Sequence, residues 1–223
     1  MRLADAVYTL IDRSSFLSEA LYNDLINQSS LARMIKADID HMTGKENSIL
    51  AISKAISRCS ISDISVLEKS ENQVVSSITD ILVRSELVDM TFTNSRTLLK
   101  AQSAILKEVE DDSRIFLSLM RGIYETTIVC SESLFKKVKQ EFSREKQLSE
   151  RHDLAAISVL FSANNVETRG LYYHLFKKLA WHGVNVIEVL STSNELSLVF
   201  NKQDMQHVFS LFINLKTEKN LGS

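Results

Sequence analysis

One supersecondary order occurs twice in this chain, about 70 residues apart, and that repeat constrains the fold more than any single segment does. In the first copy Val88, Met90 and Phe92 alternate with Asp89, Thr91 and Thr93, the period of a half-buried strand. Helical spacing follows through Leu98, Leu99, Ala101, Ile105 and Leu106. Two β-branched runs, Ile115 to Met120 and Ile123 to Cys130, flank Arg121-Gly122, and a two-residue turn there would use the positive φ open to Gly122. A basic amphipathic helix from Leu134 to Phe142 ends the copy. The second copy reads Ile157, Val159 and Phe161 as a strand, Leu171 to Trp181 as a helix, Val184 to Leu190 and Leu196 to Phe200 as strands, and Met205 to Leu215 as a helix. Each copy is βαββα, one strand short of a ferredoxin-like unit. That strand is swapped, absent or supplied by the flanks; Ile78 to Arg84 and the N-terminal part of the polar stretch 143–152 are the places expected to hold it.

The predicted class is therefore α+β, with two tandem ferredoxin-like units at 78–142 and 153–215. The stretch SREKQLSERH (143–152) is expected as their linker and 216–223 as a tail. Residues 1–60 read as helices throughout. Leu3, Ala6, Val7, Leu10 and Ile11 have helical spacing, continued by Phe16, Leu17, Ala20 and Leu21 after Ser14-Ser15. Ser29 or Ser30 would cap a helix through Leu31, Ile35 and Ile39, and Asn47 or Ser48 would open a last one through Ile49, Ile52 and Ile56. This pattern suits a helix-turn-helix-like domain, with room for a wing up to about residue 84.

Composition narrows the function. With 44% hydrophobic and 24% charged residues the chain is globular rather than disordered. A net charge of −2 gives no global attraction to nucleic acid or anionic membrane. No run approaches the ~18 apolar residues of a membrane span, and the charged start lacks a signal sequence, so a cytoplasmic protein is expected. Cys59 and Cys130 have no paired spacing and read as buried thiols. Phosphate-binding glycine loops, nucleophile elbows and zinc helices are all missing from the sequence. His174 and His182 are too far apart along a helix end to share an ion, and Asp111-Asp112 reads as a solvated turn. The expectation is a non-enzymatic protein without cofactor or metal.

The loop before Leu171 is the most informative stretch. Gly170 leads into a helix whose first N–H groups suit a carboxylate, and Asn164, Asn165, Glu167 and Thr168 supply further donors and acceptors. Glu167-Thr168-Arg169-Gly170-Leu171, then Leu175-Phe176, Leu179, Gly183-Val184-Asn185-Val186 and Ser191-Thr192-Ser193 with Glu195, resemble the ACT domain of aspartate kinases over about 65 residues. The resemblance implies a regulatory, allosteric module that binds an amino acid between paired domains. It places ligand contacts at Asn164, Asn165, Thr168, Arg169, Gly170 and Leu171, and, toward the ligand of a paired domain, at Asn185, Val186 and Ile187 of the following strand. The first copy has Thr93-Asn94-Ser95-Arg96-Thr97 where the glycine should be, so it reads as a degenerate ACT-like unit. The N-terminal region resembles the winged-helix-like segment of prokaryotic ACT-containing proteins, a similarity that implies no activity.

If the N-terminal helices read DNA, the contacts would come from Lys45, Asn47, Ser48, Lys54 and Arg58. Seven basic residues against seven acidic ones in 1–60 instead favour packing on a second copy or on the α+β units. The sequence thus predicts a sensor of an amino acid or similar small carboxylate, paired as a homodimer through its ACT-like units. The alternatives are a ligand-controlled DNA-binding transcription regulator and a ligand-blind regulatory or assembly subunit of a separate enzyme.

Overall fold

The computed structural model describes residues 1–59, 74–110, 112, 114–162 and 170–217. The chain divides into two compact units, Met1–Lys69 and Ser70–Ser223.

The first unit contains α1 (Leu3–Asp12), α2 (Ser15–Tyr22), α3 (Gln28–Thr43) and α4 (Ile49–Ser57). Hydroxyl and amide caps start three of them: Ser14 accepts the Leu17 N–H, Asn27 the Ser30 N–H, and Ser48 the Ala51 N–H. The cap expected at Ser29 or Ser30 is thus Asn27, which starts α3 a turn earlier. Ala6, Val7, Ile11, Leu31, Ile35, Ile39, Ile52 and Ile56 interlock as the core, the apolar stripes that the helical spacing marked.

The second unit is a six-stranded antiparallel sheet in the order β2-β3-β1-β4-β6-β5. Its strands are β1 (Ile78–Thr93), β2 (Leu117–Arg121), β3 (Glu125–Ser131), β4 (Gln147–Phe161), β5 (Val186–Ser191) and β6 (Glu195–Asn201). Among the described residues, α5 (Leu98–Glu108), α6 (Glu132–Glu141), α7 (Leu171–Trp181) and α8 (Met205–Thr217) accompany it. Alternation along the strands splits the burial between two faces. Val88, Met90, Phe92, Ile128 and Cys130 pack with α5 and α6 residues Leu98, Ile105, Leu134 and Val138. Ala155, Ile157, Val159, Leu198 and Phe200 pack with Leu175, Leu179, Val208 and Phe212 of α7 and α8. The intervening Leu87, Val129, Leu154, Ala156, Leu190 and Val199 form an apolar strip on the opposite face.

The missing strands lie in the two long central ones. Residues 78–84 of β1 pair with 156–161 of β4, beside the second copy, and residues 147–151 of β4 pair with 89–92 of β1, beside the first. Each long strand serves both copies. This corrects two expectations. The polar stretch 143–152 is a linker only in its first half; from Gln147 onward it is strand, and the first copy's closing strand sits in its C-terminal part. Polarity misleads there because that end of the strand is largely exposed, so it needs no alternating apolar face. Residues 78–84 belong to this sheet and so are not a wing of the helical unit, and residues 60–73 lie outside the described ones. The first hairpin also turns two residues later than expected. The Gly122 N–H donates to the Glu125 carbonyl at 2.8 Å, so Ile123-Tyr124 make the turn, and Gly122 keeps a negative φ.

Candidate functional site

Helix α7 starts where β4 ends, and the structure opens a cavity of about 380 Å³ at that corner. Phe161, Gly170, Leu171, Tyr172, Tyr173, Ser191, Thr192, Ser193, Glu195 and Leu196 line it. Gly170 adopts φ 77°, ψ 4°, the left-handed conformation in which a side chain would be strained, and its carbonyl accepts the His174 N–H. The residue before α7 is a glycine, which has no side chain to cap the helix, in contrast to Ser14, Asn27 and Ser48 before α2, α3 and α4. The start of α7, with the partial positive charge of a helix N-terminus, lies at the cavity corner.

The far wall is the β5–β6 hairpin. Thr192 N–H donates to the Glu195 carbonyl at 2.9 Å across the Ser193-Asn194 turn, and Phe161 N–H donates to the Asn194 carbonyl at 2.8 Å, tying the turn to the end of β4. Tyr172 hydroxyl and Ser191 Oγ, 2.9 Å apart, bridge helix and hairpin. The cavity thus combines a helix N-terminus and the hydroxyl and backbone groups of the hairpin beside aromatic surface, a mixture suited to a small polar molecule, while the Glu195 carboxylate accepts the Ser197 hydroxyl at 2.9 Å.

Of the predicted contacts, Gly170 and Leu171 line this cavity. Asn164, Asn165, Thr168 and Arg169 lie outside the described residues. Asn185, Val186 and Ile187 sit at the other end of β5: Asn185 is exposed, Val186 packs toward α7 and α8, and Ile187 toward the opposite apolar strip. These three, expected to face the ligand of a paired domain, lie away from the Gly170 cavity of their own unit. Tyr172, Tyr173, Ser191–Ser193 and Glu195 do line it, and the polar turn between two apolar strands was the signal that could have placed the hairpin there.

The DNA candidates also separate. Asn47 is 7% exposed: its Nδ2 donates to Asp40 Oδ1, Thr43 Oγ1 and the Lys45 carbonyl, which closes the α3–α4 connection. It is a structural residue and is withdrawn as a DNA contact. Ser48 is occupied as a cap, while Lys45, Lys54 and Arg58 are exposed. Burial pushes the Cys130 thiol up to about 12, which removes it as a nucleophile. Among the described residues no cluster of three metal-ligating side chains occurs, and no helix is long and apolar enough to cross a membrane.

With this geometry in hand the chain can be compared with known proteins. No protein-family model matches it, and no curated protein matches it by sequence. Solved structures do. The aspartokinase alpha and beta subunits superpose with a TM-score of 0.51 at 10% identity, over 62% of this chain and 98% of theirs. The fold is ACT-like. The regulatory subunit of aspartate kinase from Thermus thermophilus, in its ligand-free form, gives 0.50 at 8% identity over 62% of this chain and 98% of that one. Aspartate kinase from Clostridium acetobutylicum gives 0.51 at 12% identity, over 62% of this chain but 35% of that enzyme, so the likeness spans about a third of its length.

Proposed function

We propose that the ACT-like unit is a regulatory sensor that binds an amino acid or similar small carboxylate in the Gly170 cavity. The observation that carries this reading is the left-handed Gly170 at the start of α7, beside a cavity of about 380 Å³. The ligand's carboxylate would lie at the helix start, and its amine would face the Ser191–Ser193 carbonyls and hydroxyls. Binding would favour one arrangement of paired units, so regulation follows from the ligand's differential affinity for two states. The partner is then a second copy, and the helical unit transmits the change. For that unit, protein contact is the better-supported role: its charges balance, Asn47 is buried, and Leu25, Met34 and Leu50 stand 77%, 67% and 65% exposed.

Thermal unfolding against the twenty amino acids and related carboxylates tests the reading. A ligand at 100 times its Kd stabilises the native state by ~2.7 kcal/mol and should raise the midpoint. Gly170→Asp, which sets a negative side chain at the helix start, should abolish that rise, and Tyr172→Phe should reduce it. A flat response across the panel removes amino-acid sensing and leaves a ligand-blind partner subunit.

A further inference from the structure

The sheet face away from the helices carries a further cavity. Strands β2 and β5 are the two edges of the sheet, with four strands between them. Ser118 and Met120 of β2 and Leu190 and Ser191 of β5 nevertheless line one cavity of about 520 Å³, so the sheet curls until its edges face each other. Its floor is strand: Leu82 of β1 stands opposite Ser158 of β4, which stands opposite Ser197 of β6, while Arg84 stands opposite Ala156. Ser191, Thr192 and Glu195 also line the Gly170 cavity, so the β5–β6 hairpin is the wall between the two.

Two polar features interrupt this apolar surface. Ser158 and Ser197 are 5% and 3% exposed, and their Oγ atoms lie 2.5 Å apart. Ser197 donates its one hydroxyl proton to Glu195 Oε1 at 2.9 Å. The hydrogen bond between the serines therefore runs from Ser158 to Ser197, and the relay ends at the carboxylate. Ser158 Oγ is left as an acceptor in the cavity wall, polarised by the relay behind it. The second feature is Arg84, a diagonal neighbour of Ser158 on the same face. Its Nη1 donates to the Arg114 carbonyl at 2.9 Å, and its guanidinium lies 5.9 Å from the Phe116 ring centroid. Among the described residues no carboxylate pairs with it, so its other N–H groups are open to a ligand. Glu195 is paired with Leu160, at the opposite end of the floor from Arg84 and beyond the serines.

We propose that this cavity is a second ligand site, for a small carboxylate with an apolar body and a hydrogen-bond donor beside the carboxylate. The carboxylate pairs with Arg84, the donor is accepted by Ser158 Oγ, and the apolar body lies against Leu82, Phe116 and Leu190. Placing the only basic side chain of the lining at one end and Glu195 at the other admits one orientation, with the anion at Arg84. A 2-hydroxy acid and a 2-amino acid share this chemistry, and the volume lies in the range of small-molecule sites. The site is built from residues other than Gly170 and α7, so it stands apart from the sensor reading above.

Titration of the full chain with leucine, α-hydroxyisocaproate, isocaproate and isocaproamide tests the proposal, read from the amide resonances of Leu82, Ser118 and Leu190. At least one of the first two should give saturable shifts, and whichever binds more tightly identifies the class. Isocaproate, which lacks the donor, should bind roughly 3–10-fold more weakly, and the uncharged isocaproamide should not saturate. Arg84→Gln should weaken binding roughly 10-fold or more, and Ser158→Ala should remove the preference over isocaproate. The comparison of isocaproate with its amide in the parent protein makes the same point about charge without any variant. Absence of saturable shifts, equal binding of acid and amide, or binding unaltered in Arg84→Gln would overturn the site. Shifts confined to the Gly170 and Leu171 amides would place the ligand in the other cavity, overturning this proposal while leaving the sensor reading intact.

Discussion

Leu87 of β1 lies directly opposite Leu154 of β4, and each follows a non-glycine residue in the left-handed region, Glu86 at φ 57° and Asp153 at φ 54°. Both leucines are about 1% exposed and belong to the apolar strip on the face away from the helices. Around them the register is symmetric: Arg84 pairs with Ala156 and Asp89 with Arg151. The Leu87–Leu154 pair therefore marks the local two-fold relation between the copies, and the left-handed residues are the kinks at which each long strand passes from one copy to the other.

Those kinks make a sharp prediction. A left-handed conformation costs a branched residue far more than glycine, so Asp153→Val should unfold at lower denaturant than Asp153→Gly, by about 1–3 kcal/mol. Asp153→Gly should stay within about 1 kcal/mol of the parent protein, because relief of strain offsets the added freedom of the unfolded chain. Equal midpoints for the two variants would show that the kink is not constrained.

The Asn47 network predicts a loss confined to the helical unit. Removing its side chain leaves Asp40 Oδ1 and the Lys45 carbonyl without that donor, so Asn47→Ala should cost about 1–3 kcal/mol by denaturant unfolding. Asp40 is held below the usual carboxylate range first by Lys36 and then by Asn47. Its contribution is therefore present above the unfolded value near 4 and lost as pH falls through the folded one. Acid unfolding of Asn47→Ala should begin at higher pH than in the parent.

Much of this architecture was legible because burial follows periodicity. The alternation of Val88, Met90 and Phe92, and of Ile157, Val159 and Phe161, put the correct residues on the helix-facing side of the sheet. Gly170 was legible because few residues enter a helix from the left-handed region. The extension of β4 back to Gln147 was hidden: Leu148 is 45% exposed and its neighbours are polar, so pairing with β1 rather than burial makes that segment a strand. The burial of Asn47 was hidden for a related reason. A polar residue before a helix reads as a cap or a contact, and only the approach of Asp40 from α3 shows that it is internal.

His152 links α6 to the start of β4. Its ring contacts Glu150 at 2.9 Å and Glu132 at 3.4 Å, and the hydrogen bond to Glu150, ahead of that to Glu132, raises its pKa above the ordinary imidazole value. Glu150 is correspondingly held down to about 2, chiefly by Gln147 and then by His152 and Lys139. The sign follows for a raised histidine: its stabilisation is fully present below about 6.5 and fades as pH rises through the folded pKa. Melting midpoints recorded from pH 6 to 9 should therefore decline in the parent protein and decline less in His152→Gln. Parallel curves would remove His152 as the cause.

Asp89 predicts a stabilising substitution. Its side chain is fully buried, Arg151 Nη1 lies 3.4 Å from Oδ1, and Oδ2 has no hydrogen-bond partner among the described residues. Burial raises its pKa, and Arg151, which is 53% exposed, only partly counters this. A carboxyl whose folded pKa is raised is favoured in its neutral form, so the native state is penalised as pH climbs above the unfolded value, the reverse of Asp40. Asp89→Asn supplies a neutral isostere whose amide can donate where Oδ2 finds nothing, and the half-exposed Arg151 can turn to water. Stability at pH 7 should rise by about 0.5–2 kcal/mol, with little gain at pH 4. Glu188 gives an independent reading. Its pKa is raised by burial first and then by the Asp89 charge, so it should titrate at lower pH in Asp89→Asn, as followed by its side-chain carboxyl resonance. A loss of stability at pH 7 would instead mean that the Asp89–Arg151 pair holds β1 to β4 at the point where the two copies meet.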